Sequence, residues 1–142
     1  MRQLLRALVA ALSAALLVAC GSEQVVQFTA TEPPEPASVR LFFTAGEVTQ
    51  HVPLNNGQTH RIEVRLFAAN GTRITGYDDH FDLTVDFTPT SLAVAVPVAG
   101  RPLLKDLTAS ASPEESGTIH ISFYHAHTMT TRTFGPFEAL VH

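Results

Sequence analysis

From Ser38 onward, apolar residues recur at every second position. In Thr59–Phe67, Ile62, Val64 and Leu66 fall on one face and Arg61, Glu63 and Arg65 on the other. In His80–Phe87, Phe81, Leu83, Val85 and Phe87 alternate with His80, Asp82, Thr84 and Asp86. In Gly117–Phe123, Ile119, Ile121 and Phe123 alternate with Thr118, His120 and Ser122. A period of two is the pattern of a strand with one face buried and one wet. The same reading places strands over Val39–Phe43, Val48–Val52, Leu92–Val96, Leu103–Ala109 and Thr133–Val141. Turn residues separate them: Asn55-Asn56-Gly57, Asn70-Gly71, Gly76, Pro89, Ala99-Gly100 and Pro113 to Gly117. After the N-terminal leader, no window of about a dozen residues repeats with the 3.6 period of a helix. The pattern predicts an all-β fold, an antiparallel sandwich of about 7–8 strands.

Particular stretches narrow this. Gly57-Gln58-Thr59, then RIEVRLFAANGTRITG, then SGTIHISFYHA resemble bacterial immunoglobulin-like domains. In those domains a strand closes on an Asn-Gly turn and a late Gly-Thr opens the penultimate strand. The resemblance spans residues 39–141 and implies an immunoglobulin-like β-sandwich. With one cysteine and no tryptophan, the disulfide-and-tryptophan core of antibody domains is excluded.

Upstream the pattern changes. Arg2 and Arg6 precede Ala7–Ala19, where only Ser13 is polar. Such a run is shorter than the about 20 residues a spanning helix needs, and matches the apolar core of a secretory signal. It ends in Leu17-Val18-Ala19-Cys20-Gly21, which is similar to a bacterial lipobox. That resemblance implies a signal peptide over 1–19, removed so that Cys20 becomes an acylated N-terminus carrying diacylglycerol and palmitate-type chains. Gly21 after the cysteine resembles lipoproteins sorted to the outer membrane. Cys20 is the only cysteine, so no disulfide and no cysteine metal cluster can form within the chain. Residues 20–37 then read as a tether. Pro33, Pro34 and Pro36 among Glu32 and Glu35 favour extended, solvated polyproline geometry. Val25-Val26-Gln27-Phe28 reads either as an added edge strand or as part of that tether. The sandwich domain is placed at 38–142.

Charge changes the list of partners. Cleavage before Cys20 takes 19 of the 142 residues and leaves 123. It removes two arginines and no acid, so basic residues fall from 9 to 7 against 13 acidic ones, and the formal charge moves from −4 to −6. Lys105 is the only lysine. An acidic chain with few cations is a poor match for phosphate backbones, so nucleic acid is not an expected partner. Membrane contact is expected through the acyl chains, and a protein of the cell envelope is the expected macromolecular partner.

Little in the mature chain suggests catalysis. No Gly-x-Ser-x-Gly elbow is present, the eight glycines stand singly at turns, and Asp78-Asp79 sit in a turn open to water. The pattern therefore predicts no enzyme. Two constellations could hold ions. In His125-Ala126-His127-Thr128-Met129, alternation along an extended strand would set His125, His127 and Met129 on one face. Imidazole and thioether suit copper, and imidazole suits zinc. His80 is a further candidate ligand. The alternative is that the strand ends near Tyr124 and His125–Thr131 form a polar hairpin loop. The second constellation, Asp78, His80, Asp82, Thr84 and Asp86, offers oxygen for calcium. However, same-face side chains on a strand stand about 7 Å apart, too far for one ion to gather them all. Finally, Pro136 in TFGPFEALVH cannot donate to a ladder, so its strand is expected at an edge or with a bulge.

The sequence thus predicts a lipid-anchored, non-catalytic binding or structural module of the bacterial envelope. The alternative is a periplasmic copper- or zinc-binding lipoprotein built on the His125/His127 stretch.

Overall fold

A computed structural model describes residues 33–75 and 81–142. The leader, Cys20, residues 20–32, Asp78, Asp79 and His80 lie outside them. Ten strands run in order among the described residues: β1 Ser38–Phe43, β2 Gly46–Glu47, β3 His51–Leu54, β4 Thr59–Phe67, β5 Arg73–Ile74, β6 Phe81–Thr88, β7 Ala93–Val98, β8 Arg101–Ala109, β9 Ser116–His125 and β10 Thr130–Val141. Eight of them are the strands the alternation predicts, shifted by a few residues at their ends. The other two, β2 and β5, have two residues each, too short for a period to register.

The first sheet has the order β2-β1-β4-β8-β7, with β5 on β4; the second has the order β3-β10-β9-β6. All pairings are antiparallel except β3 with β10, where Glu138 to Val141 run beside His51 to Leu54. Setting aside β2 and β5, strands 1, 4, 8 and 7 form one layer and 6, 9 and 10 the other. That is the strand order of the immunoglobulin sandwich. The opening strand crosses between layers: β1 pairs with β4, and β3, after the loop at Val48–Gln50, pairs with β10.

The core follows from the alternation. Leu41, Ile62, Val64, Leu66 and Leu107 from the first sheet meet Val52, Leu54, Leu83, Ile119, Ile121, Phe123 and Val141 from the second, all at or near zero exposure. Each such side chain contributes about 1.5–3 kcal/mol relative to exposure. Lys105 also turns inward on β8 and is 4% exposed. Burial pushes its amine below the ordinary lysine range, and the charge of Asp82 on β6 partly opposes that.

Gly100 closes the β7–β8 turn at φ 68°, where a side chain would be strained. Both parts of the expectation for Pro136 are met: β3 flanks β10 only from Glu138 to Val141, so Pro136 lies where β10 has β9 alone beside it, and the β9 register shifts between Phe134 and Phe137. The bulge and the open side together leave the missing N–H without a ladder partner.

The wet face of the first sheet is woven. Arg40 stands directly across from Arg65, an unfavourable pairing taken alone. Each guanidinium instead lies diagonally over the opposite strand's aromatic ring, Arg65 over Phe42 at 3.8 Å and Arg40 over Phe67 at 4.9 Å. Glu63 receives Arg65 at 2.8 Å and also pairs with Arg73. Arg61 grips Asp106 with two bonds of 2.7 and 2.8 Å. These contacts hold the Glu63 carboxyl below its usual range, through Arg65 first, and that of Asp106 likewise through Arg61.

Candidate functional site: the hairpin corner

Alternation along β9 does not stop at Phe123. Ile119, Ile121, Phe123 and His125 all point inward, and His125 is 6% exposed. Its ring lies 6.2 Å from that of Phe123, which stacks on Phe81 at 5.3 Å. The strand therefore runs one residue past Tyr124, and His125 pairs in register with Thr130. Ala126–Met129 form the turn between them.

This corrects the expectation that His125, His127 and Met129 share a face. That parity belongs to an extended chain, and the turn ends it after His125. Met129 adopts a left-handed φ of 51° and is 79% exposed. His127 sits in the turn, exposed, yet its ring remains 5.8 Å from that of His125, with 38° between the planes. Two of the candidate ligands are thus brought together, Met129 faces solvent, and His80 lies outside the described residues. Of the calcium constellation, Asp82, Thr84 and Asp86 line the exposed side of β6, where Thr84 Oγ1 donates to Asp86 Oδ2 at 3.3 Å. Among the described residues, no three or more His, Cys, Asp or Glu side chains are grouped to hold a metal ion.

Glu35, which reads in the sequence as part of a solvated tether, completes this corner. Packing against the sandwich extends upstream of Ser38: Pro36 is buried, and the Ala37 N–H donates to the Phe67 carbonyl at 2.8 Å. Glu35 Oε2 accepts from Arg132 Nε at 2.7 Å. Glu35 Oε1 accepts from Thr130 Oγ1 at 2.7 Å and from Thr128 Oγ1 at 3.1 Å. Thr128 Oγ1 is 2.7 Å from Thr130 Oγ1 and 3.2 Å from His125 Nδ1. The Glu35 carboxyl is held below its ordinary range, by the hydrogen bond from Thr130 first and that from Arg132 next.

Proton counting gives these contacts a direction. Each threonine has one hydroxyl proton. The Glu35 carboxylate can only accept, so Thr128 and Thr130 each donate to its Oε1. With its proton on Glu35, Thr128 is left to accept at 3.2 Å from His125 in the tautomer that carries a proton on Nδ1. Thr128 thus joins the ring to the carboxylate, and Thr130 is a second donor to Glu35.

No family model matches this chain, and neither a curated protein nor a solved structure matches it.

Proposed function

We propose that this chain is a lipid-anchored binding module of the bacterial cell envelope, acting through contacts rather than catalysis, with outer-membrane placement and an envelope protein as partner. The observation that carries this reading is the single cysteine, Cys20, set at the end of an apolar leader in Leu17-Val18-Ala19-Cys20-Gly21. An immunoglobulin-like sandwich following a short linker is an architecture suited to presenting a surface. Edge strand β7 adds an accessible apolar stripe, with Val94 55% and Val96 53% exposed.

The test is to express the full chain in a bacterium fed an alkyne-bearing fatty acid. The expected product carries the label on Cys20, fractionates with the outer membrane, and loses both properties in Cys20→Ser. A mature protein that begins elsewhere and carries no acyl group would remove the anchor from this reading.

A second reading, capture of copper or zinc, draws on the 5.8 Å approach of the His125 and His127 rings. Two imidazoles on one tetrahedral ion, with Zn–N near 2.0–2.1 Å, have centroids about 5 Å apart. The observed spacing of 5.8 Å is close to that value.

A further inference from the structure

We infer that Glu35 is the outer carboxylate of a copper or zinc site whose inner ligands are His125 and His127. Ion binding and the docking of residues 33–37 against the hairpin therefore reinforce each other. This inference rests on the metal reading above.

Metal-binding histidines as a rule donate their second ring N–H to a carboxylate, a carbonyl or water, which fixes the tautomer and raises the basicity of the ligating nitrogen. The path from His125 Nδ1 through Thr128 to Glu35 has that polarity when the ring proton is on Nδ1, with steps of 3.2 and 3.1 Å. In that tautomer Nε2 is the nitrogen that takes the ion. The ring is also held by burial and by its packing on Phe123, so one of the two ligands is already oriented. An ion drawing electron density from Nε2 makes Nδ1–H a stronger donor and tightens the relay toward a carboxylate that Arg132 keeps in place. By linkage, any factor by which the docked linker raises metal affinity is the factor by which metal favours docking. A tether that merely lies on the surface has no such coupling.

The experiment is calorimetric titration of Zn²⁺ and Cu²⁺ into the full-length protein in detergent, together with hydrogen exchange over residues 34–38 and 125–130. Expected are one ion per chain, loss of binding in His125→Ala/His127→Ala, and affinity lowered about 10–100-fold in Glu35→Gln. Thr128→Val cuts the relay while sparing the Glu35–Arg132 pair, and should weaken binding similarly with the fold intact. Saturating metal should slow exchange at 34–38 in the wild type and not in His127→Ala, a response that a purely structural glutamate would not give. Wild-type affinity equal to that of the double-histidine variant overturns the metal reading and this inference with it. Tight, histidine-dependent binding left unchanged by both Glu35→Gln and Thr128→Val, with no metal-induced protection of 34–38, overturns the inference alone.

Discussion

The wet face of the first sheet and the hairpin corner use the same materials, arginine, carboxylate, hydroxyl and ring, but combine them differently. On the first sheet the partners lie on the same strand or the next one: Arg65 with Glu63 along β4, Arg73 of β5 with Glu63, and Arg61 of β4 with Asp106 of β8. Even the cleft of about 240 Å³ lined there by Phe42, Arg61, Glu63 and Arg65 has its charges matched by Arg65, Arg73 and Asp106. At the corner, Glu35 bonds side chains 93 to 97 residues away, and Thr128 links that carboxylate to one buried imidazole. A self-matched lattice stabilises a sheet; a relay from a buried ring to a carboxylate distant in sequence can transmit a binding event. The difference is one of connectivity rather than composition.

The largest test reaches beneath the corner. Phe123→Ala should cost about 3–5 kcal/mol in urea unfolding and also expose the hairpin to exchange, since Phe123 supports both Phe81 and His125. A loss confined to global stability, with hairpin protection unchanged, would separate the corner from the core. Next is Gly117→Ala on the same strand, at the end away from the hairpin. An added Cβ there would stand 2.4 Å from the Thr88 carbonyl oxygen and 2.9 Å from Leu92 Cδ2. We expect about 1–3 kcal/mol of overpacking cost, with metal affinity of the folded protein unaltered. Smaller again is the weave itself. A double-mutant cycle on Phe42→Ala and Arg65→Ala should return a coupling of about 0.5–1 kcal/mol, and the same cycle scored on metal affinity should return none.

The smallest effect is in pH. Folding lowers the carboxyl of Glu63, chiefly through Arg65. Its contribution is therefore complete above the ordinary glutamate range and disappears as pH falls through the lowered folded value. Glu63→Gln should flatten the acid limb of a plot of urea midpoint against pH and leave the neutral region little changed. A limb as steep as in the wild type would show that the lattice carboxylates do not set acid stability.

The same contrast explains what could be read in advance. The first sheet was legible because its logic is local: Arg61, Glu63 and Arg65 alternate with Ile62, Val64 and Leu66, and the turn at Asn70-Gly71 ends the run. The inward position of His125 was legible too, as the next step in the parity of Ile119, Ile121 and Phe123. Met129 was misplaced because parity was extended through residues that form a turn, where successive side chains no longer alternate. Glu35 could not have been found. Between two prolines it carries the composition of a solvated linker, and nothing local reveals a partner such as Arg132, 97 residues on. The crossing of the opening strand from one layer to the other was hidden for the same reason, since β3 finds its neighbour at the far end of the chain.

That crossing also sets an order of assembly. A chain emerging N-terminus first holds every strand of the first sheet once Ala109 is out, whereas β3, finished at Leu54, waits for a neighbour that runs from Thr130 to Val141. Until then β9 has only β6 beside it, and the apolar side of the first sheet has nothing complete to close on. Such non-local closure is slow and leaves strand edges open to intermolecular pairing. A chain cut before Thr130 would thus lose more than a hairpin: β3 would be stranded, the interior would stay wet, and a chaperone-bound or aggregated species would take the place of a smaller domain.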